Sequence, residues 1–276
     1  MENDYEKRML RVLDYILANP DGDLSLDNLA DVAALSRFHW HRVFHAMTGE
    51  TCAEAVRRIR LRKASFDLVQ TDQSIKTIAA SVGYPNMQSF ARAFRGAFSQ
   101  TPHAYRQAGH VALPKLKFKR KENEMFDVTL AEMPERKIIG LPHKGAYNRI
   151  SEAYEKVFAL VGSRGMFPQT GKMVALYESD PTSTPEAELS SFAGIEYSGD
   201  AQEGFEVRTL TAGPAAKLRL IGPYTGLQAA YDHLYGVWLP QSGRVPAEVP
   251  SFEVYENSPH DTAPQDLITD IYLPLA

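Results

Sequence analysis

One pattern occurs twice in the N-terminal part of this chain. Ser25-Leu26-Asp27-Asn28-Leu29-Ala30 recurs as Ser74-Ile75-Lys76-Thr77-Ile78-Ala79; after a short break, Trp40, Arg42 and Phe44 recur as Phe90, Arg92 and Phe94. The separation between copies grows by one residue at the break, which is a turn, where insertions are tolerated best. Each copy reads as two short helices. Ser25 predicts an N-cap, its hydroxyl accepting from a free amide of the first turn. Leu26, Leu29, Ala30 and Ala33 then share one helical face. Ser36 is expected to cap a second helix with Trp40, Val43, Phe44 and Met47 inward. Its other face carries Arg37, Phe38, His41, Arg42 and His45. Two helices joined by a tight turn, the second with a basic outer face, form a helix-turn-helix suited to a major groove.

The flanking segments are also helical. Glu6 to Ala18 predicts an amphipathic helix with Met9, Leu10, Leu13, Ile16 and Leu17 inward, stopped at Asn19-Pro20-Asp21-Gly22. Thr51 to Val69 predicts one long helix, and its Arg57, Arg58, Arg60, Arg62 and Lys63 form a basic, phosphate-clamping face. In the second copy Asn86 caps the outer helix, and Pro102 opens a last short helix at its first position. The segment Ile75-x-x-Ile78-Ala79-x-x-Val82-Gly83-Tyr84, then Ser89-Phe90-x-Arg92-x-Phe94, then Thr101-Pro102-x-x-Tyr105-Arg106 resembles an AraC/XylS-type DNA-binding domain. The resemblance implies seven helices, with two helix-turn-helix subdomains bridged by one long helix, and a role in transcription regulation.

Helical spacing puts Phe38, His41, Arg42 and His45 on one face, and Gln88, Ala91, Arg92 and Arg95 on the equivalent face of the second copy. The expected DNA-binding set is Arg37, Phe38, His41, Arg42, His45, Gln88, Ser89, Arg92 and Arg95. Arginine reads guanine and glutamine reads adenine by paired hydrogen bonds. Two readers in one chain predict an asymmetric double-stranded operator, with RNA polymerase as the further partner of an activator. His39, His41 and His45 do not make a metal set: His39 lies on another face, and no cysteine or carboxylate completes it.

Net charge is −4 over 276 residues, which looks wrong for a DNA binder until it is divided. Residues 1–108 carry 14 Lys and Arg against 12 Asp and Glu; residues 109–124 carry 5 against 2; residues 125–276 carry 11 against 20. These blocks are the expected domains: an all-α DNA-binding domain, a basic linker and an acidic C-terminal domain. Cys52 is the sole cysteine, so no intrachain disulfide forms and no cysteine-rich metal site exists. No apolar run reaches membrane-spanning length, and the N-terminus enters a helix directly, so a cytoplasmic protein is expected.

From Met125 the periodicity changes to that of strands. Phe126 to Ala131, Lys137 to Leu141, Met173 to Tyr177 and Leu189 to Tyr197 read as strands, and Asn148 to Leu160 as a helix. Here too the chain repeats. Gly145, Tyr147, Ala153 and Tyr154 recur as Gly222, Tyr224, Ala230 and Tyr231; Tyr177, Glu178 and Pro181 recur as Tyr255, Glu256 and Pro259. The fold expected is α+β, two pseudo-symmetric strand-helix-strand units joined about a twofold axis with a cleft between them. Gly222-Pro223-Tyr224, Ala230-Tyr231, Trp238-Leu239-Pro240-x-Ser242-Gly243, Pro250-Ser251-Phe252-Glu253-Val254-Tyr255 and Ile271-Tyr272-Leu273-Pro274 resemble the GyrI-like small-molecule-binding domain.

Strand alternation places Glu253 and Tyr255 on one face, and the repeat sets Ala175 opposite Glu253, so the charge occurs in one copy only. The resemblance implies that Glu253 is a central pocket glutamate. Tyr255, Trp238, Tyr147 and Tyr224 are the expected walls, and an amphipathic or cationic effector the expected ligand. No cofactor, metal or catalytic residue is implied. Two other readings stand beside this one: hydrolysis of a reactive small molecule, as in some GyrI-like domains, with Glu253 as general base, and a ligand-free regulator whose C-terminal domain contacts protein.

Overall fold

The computed structural model describes residues 4–109, 126–181, 183–200, 202–259 and 261–276. By contacts these divide into two units, residues 4–35 with 48–109, and residues 36–47 with 126–276. The second helix of the first repeat, residues 36–47, makes its contacts in the C-terminal unit.

In the first unit, α1 (Asp4–Ala18) begins with Asp4 and Glu6, whose charges favour a helix N-terminus. It buries Tyr5, Met9, Val12 and Ile16. Leu10 and Leu17, expected inward, are 59% and 57% exposed. Tyr5 and Val12 set the helical phase, and leucines one position beyond Met9 and Ile16 turn outward. Ser25 caps α2 (Leu26–Ala33), accepting from the Asn28 amide at 3.4 Å. Arg8 and Arg11 each donate to the Ala33 carbonyl at 3.1 Å, filling acceptors that the helix end leaves open. The next helix, α3 (Arg37–Thr48), belongs to the second unit. Ser36 caps it with its carbonyl alone, accepting from the His39 and Trp40 amides, and the Ser36 hydroxyl has no partner among the described residues.

The long helix α4 (Cys52–Gln70) opens with a reciprocal capping box: Thr51 accepts from the Glu54 amide and Glu54 from that of Thr51. Of its five basic residues, Arg57, Arg62 and Lys63 are exposed. Arg58 pairs with Glu50, Arg60 donates to the Pro20 carbonyl at 2.6 Å, and Lys63 pairs with Asp67 at 2.8 Å. The helices α5 (Ile75–Ser81), α6 (Met87–Phe98) and α7 (Pro102–Ala108) are capped by Ser74, Asn86 and Thr101. They close on Leu61 and Leu68 of α4 with a core of Ile78, Phe90, Phe94 and Tyr105. Gly83 turns between α5 and α6 at φ +75°, and a Cβ there would lie 2.9 Å from the Pro20 carbonyl. Of the linker expected over residues 109–124, Gly109 ends α7 in a left-handed conformation, φ 69°. The rest lies outside the described residues.

In the second unit each sequence repeat builds two strands, a helix and two strands. The first contains β1 (Val128–Met133), β2 (Arg136–Lys144), α8 (Ser151–Ser163), β3 (Thr170–Tyr177) and β4 (Ser190–Tyr197). The second contains β5 (Glu206–Leu210), β6 (Gly213–Ile221), α9 (Leu227–His233), β7 (Phe252–Tyr255) and β8 (Ile268–Pro274). A π-turn, Leu234–Trp238, carries α9 into α10 (Leu239–Ser242). The strands form one antiparallel sheet in the order β1-β6-β8-β7-β3-β4-β2-β5. Exchanging the repeats reverses this order onto itself, so a pseudo-twofold axis runs between β3 and β7. The central strand β7 is buried at every position, whereas the edge strands β1 and β5 are largely exposed. Val174, Leu176, Phe252 and Val254 enter the core on one face with Phe192 and Tyr272.

Candidate functional site

The opposite face of β3 and β7 carries Met173, Ala175, Tyr177, Glu253 and Tyr255, by strand alternation. Ala175 pairs with Glu253 and Met173 with Tyr255. The pseudo-twofold axis therefore passes through the Ala175–Glu253 pair, and the acid sits on it. Repeat-related aromatics close round in matched pairs. Tyr147 meets Tyr177 at 4.7 Å between ring centroids, and Tyr224 meets Tyr255 at 5.6 Å. Together with Tyr154, Tyr231, Tyr235 and Arg42 they line a cavity of about 630 Å³.

Glu253 is 1% exposed. Tyr231 donates to its Oε1 at 3.1 Å and Tyr255 to its Oε2 at 2.8 Å. With its proton given to Glu253, the Tyr255 hydroxyl accepts from Tyr177 at 3.0 Å, which makes a relay Tyr177–Tyr255–Glu253. Burial pushes the Glu253 carboxyl up to about 7, and the hydrogen bonds from Tyr255 and Tyr231 and the charge of Arg42 only partly counter it. Burial, reinforced by the Glu253 charge, holds Tyr177, Tyr231 and Tyr255 well above the usual phenol range. The Tyr154 hydroxyl is buried with no side-chain hydrogen-bond partner among the described residues. The cavity thus offers the buried Glu253 carboxyl, with Glu155, Asp180 and Asp232 also in its lining, and a ring of aromatic faces.

Four of the five expected ligand-site residues, Glu253, Tyr255, Tyr147 and Tyr224, line this cavity, and Trp238 does not. The π-turn is the cause. A regular helix would carry the face of Tyr231 and Tyr235 on to Trp238, but the wider turn rotates Trp238 away. Tyr154, Tyr177, Tyr231 and Tyr235 complete the wall. The first three were visible in the sequence as repeat mates of Tyr231, Tyr255 and Tyr154.

The two expected DNA-reading faces differ. On α6, Gln88, Arg92 and Arg95 are exposed, with Phe90 and Phe94 inward. Ser89 is occupied in capping, its hydroxyl donating to the Asn86 carbonyl at 3.0 Å. On α3, Arg37 is exposed and lies over the half-buried Phe38 ring at 5.1 Å. His41 is 3% exposed and bonds Asp180 at 2.8 Å. Arg42 and His45 are half-buried and line the cavity. Arg42 donates to the Ser251 hydroxyl at 3.2 Å and to the Tyr177 and Ser179 carbonyls at 3.4 and 3.3 Å. Its guanidinium lies 5.0 Å from the Tyr231 ring centroid and 5.7 Å from that of Tyr235. His39 is buried; its Nε2 donates to the Ala247 and Val249 carbonyls, both at 3.0 Å, leaving Nδ1 to accept from Tyr235. Burial and the Arg42 charge bring this imidazole down to about 4, so it is neutral. Helical spacing identified the face of α3 but carried no information about what covers it.

Among the described residues no group of three or more His, Cys, Asp and Glu side chains is placed to hold a metal, and no helix is long and apolar enough to cross a membrane.

The GyrI-like small molecule binding domain model matches residues 126–276, and a helix-turn-helix domain model matches residues 29–108. The Right origin-binding protein of Escherichia coli K12 is 26% identical over 245 residues, covering 80% of this chain and 80% of that one. The Transcriptional regulator Rob of Salmonella typhimurium is 40% identical over 88 residues, 32% of this chain, so that the match spans 30% of that protein. The crystal structure of the EcmrR C-terminal domain aligns over 55% of this chain and 99% of its own, at 18% identity and a TM-score of 0.44. The chain belongs to the GyrI-like small molecule binding domain family through residues 126–276, and with its AraC-type helix-turn-helix region it is a DNA-binding transcription regulator.

Proposed function

We propose that this regulator is controlled by a lipophilic cation held against Glu253, and that it activates transcription from an asymmetric operator. The observation that carries the ligand class is a 1% exposed carboxylate on the axis of a tyrosine-walled cavity. A buried acid that makes no direct ion pair among the described residues favours a cationic guest, and each aromatic face adds about 0.5–2 kcal/mol of cation–π attraction. The expected DNA contacts are Gln88, Arg92 and Arg95 from α6, and Arg37, Phe38, His41, Arg42 and His45 from α3; Ser89 positions the start of α6. The two repeated helices support an operator with unlike halves.

The test is selection of bound fragments from genomic DNA by the purified chain, with and without tetraphenylphosphonium. An enriched asymmetric site whose occupancy changes with the cation, in wild type and not in Glu253→Gln, supports the proposal. Uniform, salt-sensitive binding unaffected by the cation overturns it.

A second reading rests on one observation, the buried Glu253 carboxyl at the end of a tyrosine relay; burial pushes that carboxyl up to about 7, which suits a general base at neutral pH. Turnover of a hydrolysable small molecule that is lost in Glu253→Gln is its test.

A further inference from the structure

Arg42 lines the same cavity as Glu253. Its guanidinium faces Tyr231, and the Tyr231 hydroxyl donates to Glu253, so one ring joins the internal cation to the pocket acid. Tyr235 faces the same guanidinium from the π-turn. Three oxygens, from Ser251, Tyr177 and Ser179, accept its protons. This is the environment that a cationic guest needs, supplied to a side chain of the chain itself.

The seat is shaped for the rest of α3 as well. His39 reaches two carbonyls and Tyr235, and His41 reaches Asp180. At Gly236 a Cβ would lie 2.9 Å from both the Cβ and the carbonyl oxygen of Ala46, so only glycine lets the π-turn approach α3 this closely. A helix held in this way presents neither His41 nor Arg42 to a DNA groove. Its repeat mate α6 leaves Arg92 and Arg95 exposed.

We infer that Arg42 is an internal competitor for the ligand cavity, so that a lipophilic cation binding at Glu253 expels the guanidinium and releases α3. The inference rests on the proposed ligand class. It adds a mechanism: the two cations share Tyr231 and the field of Glu253, and each excludes the other by charge and by volume. The ligand then favours the released state because it binds there without meeting Arg42.

The experiment uses the full chain and tetraphenylphosphonium as the probe, with hydrogen exchange followed separately in α3 and α6. Saturating probe is expected to speed exchange of the α3 amides about tenfold and to leave those of α6 unchanged. Gly236→Ala and Asp180→Asn, which disturb the seat from two different elements, are each expected to raise α3 exchange without probe and to tighten probe binding about tenfold. Circular dichroism and the unchanged α6 exchange report that each variant is folded. Slower or unchanged α3 exchange in saturated wild type, or weaker probe binding in both variants, overturns the inference while leaving the ligand site standing. No Glu253-dependent probe binding in any of the three proteins overturns the ligand class on which the inference rests.

Discussion

Ala175 and Glu253 face one another across the β3–β7 pair, on the pseudo-twofold axis that relates the two halves of the sheet. The symmetry creates a cleft lined alike from both sides, and the one unlike position at its centre provides the charge. Replacing that charge should affect binding more than folding. Glu253→Gln keeps volume and an acceptor for Tyr231 or Tyr255, and it is expected to weaken tetraphenylphosphonium binding at least tenfold at pH 8. Calorimetric titration checks this; equal affinity would place the ligand elsewhere.

The elevated Glu253 carboxyl makes stability and binding depend on pH in opposite senses. Its folded value, about 7, lies above the unfolded one, so the folded state holds a proton that the unfolded state has lost. The stability this contributes is complete below the unfolded value and disappears as pH rises through about 7. It is on the order of 3 kcal/mol in full. Burial keeps Tyr177, Tyr231 and Tyr255 neutral throughout this window. Urea unfolding of wild type and Glu253→Gln at pH 5 and pH 8 should give a difference that shifts toward the variant at the higher pH. Cation affinity should instead rise about tenfold from pH 6 to pH 8, as the carboxylate forms. A pH-independent difference between the proteins would mean that Glu253 is solvated.

Arg92 is exposed on α6, with no part in the core around Phe90 and Phe94. Arg92→Ala should leave thermal stability within about 0.5 kcal/mol of wild type. It should cost about 1–3 kcal/mol of discrimination at one end of the selected operator. A uniform loss across all sequences, with a smaller salt slope, would instead mark Arg92 as a phosphate contact.

Phe94 is fully buried and meets Phe90, Phe98 and Tyr105 at ring-centroid distances of 5.6, 4.5 and 5.2 Å. Phe94→Ala should destabilise this helical core by about 3–5 kcal/mol, the lost burial and the cavity adding together. Exchange protection of α6 should fall while that of β7 and β8 is kept. Loss of protection in both would show that the two units unfold as one.

Thr51 and Glu54 cap α4 reciprocally. Thr51→Ala is expected to cost about 1 kcal/mol, read as a lower urea midpoint with an unchanged slope.

Much of the fold was legible because local chemistry repeats. Ser25 and Ser74, then Trp40 and Phe90, mark two copies of one helix pair through capping and spacing alone, and the tyrosines of the second half mark two copies of one strand-helix unit. Glu253 was legible as the residue that breaks the repeat. The linear pattern gave the wrong phase for Leu10 and Leu17, because apolar spacing admits neighbouring stripes and packing against α2 and α4 selects one. It placed Trp238 in the pocket from its position at a helix end ahead of Leu239-Pro240, and the π-turn that rotates it away leaves no mark in the linear pattern. Above all, spacing put His41, Arg42 and His45 on an outward basic face. A periodicity says which side chains share a face; what that face meets is set by residues more than a hundred positions away, at Asp180, Tyr231, Tyr235 and Ser251. The sequence by itself determined the helix pairs, the doubled sheet and the solitary acid. Only the tertiary structure decided that the acid stands on the symmetry axis and that Arg42 shares its cavity, because both depend on the register of β3 against β7 and on side chains that meet through space rather than along the chain.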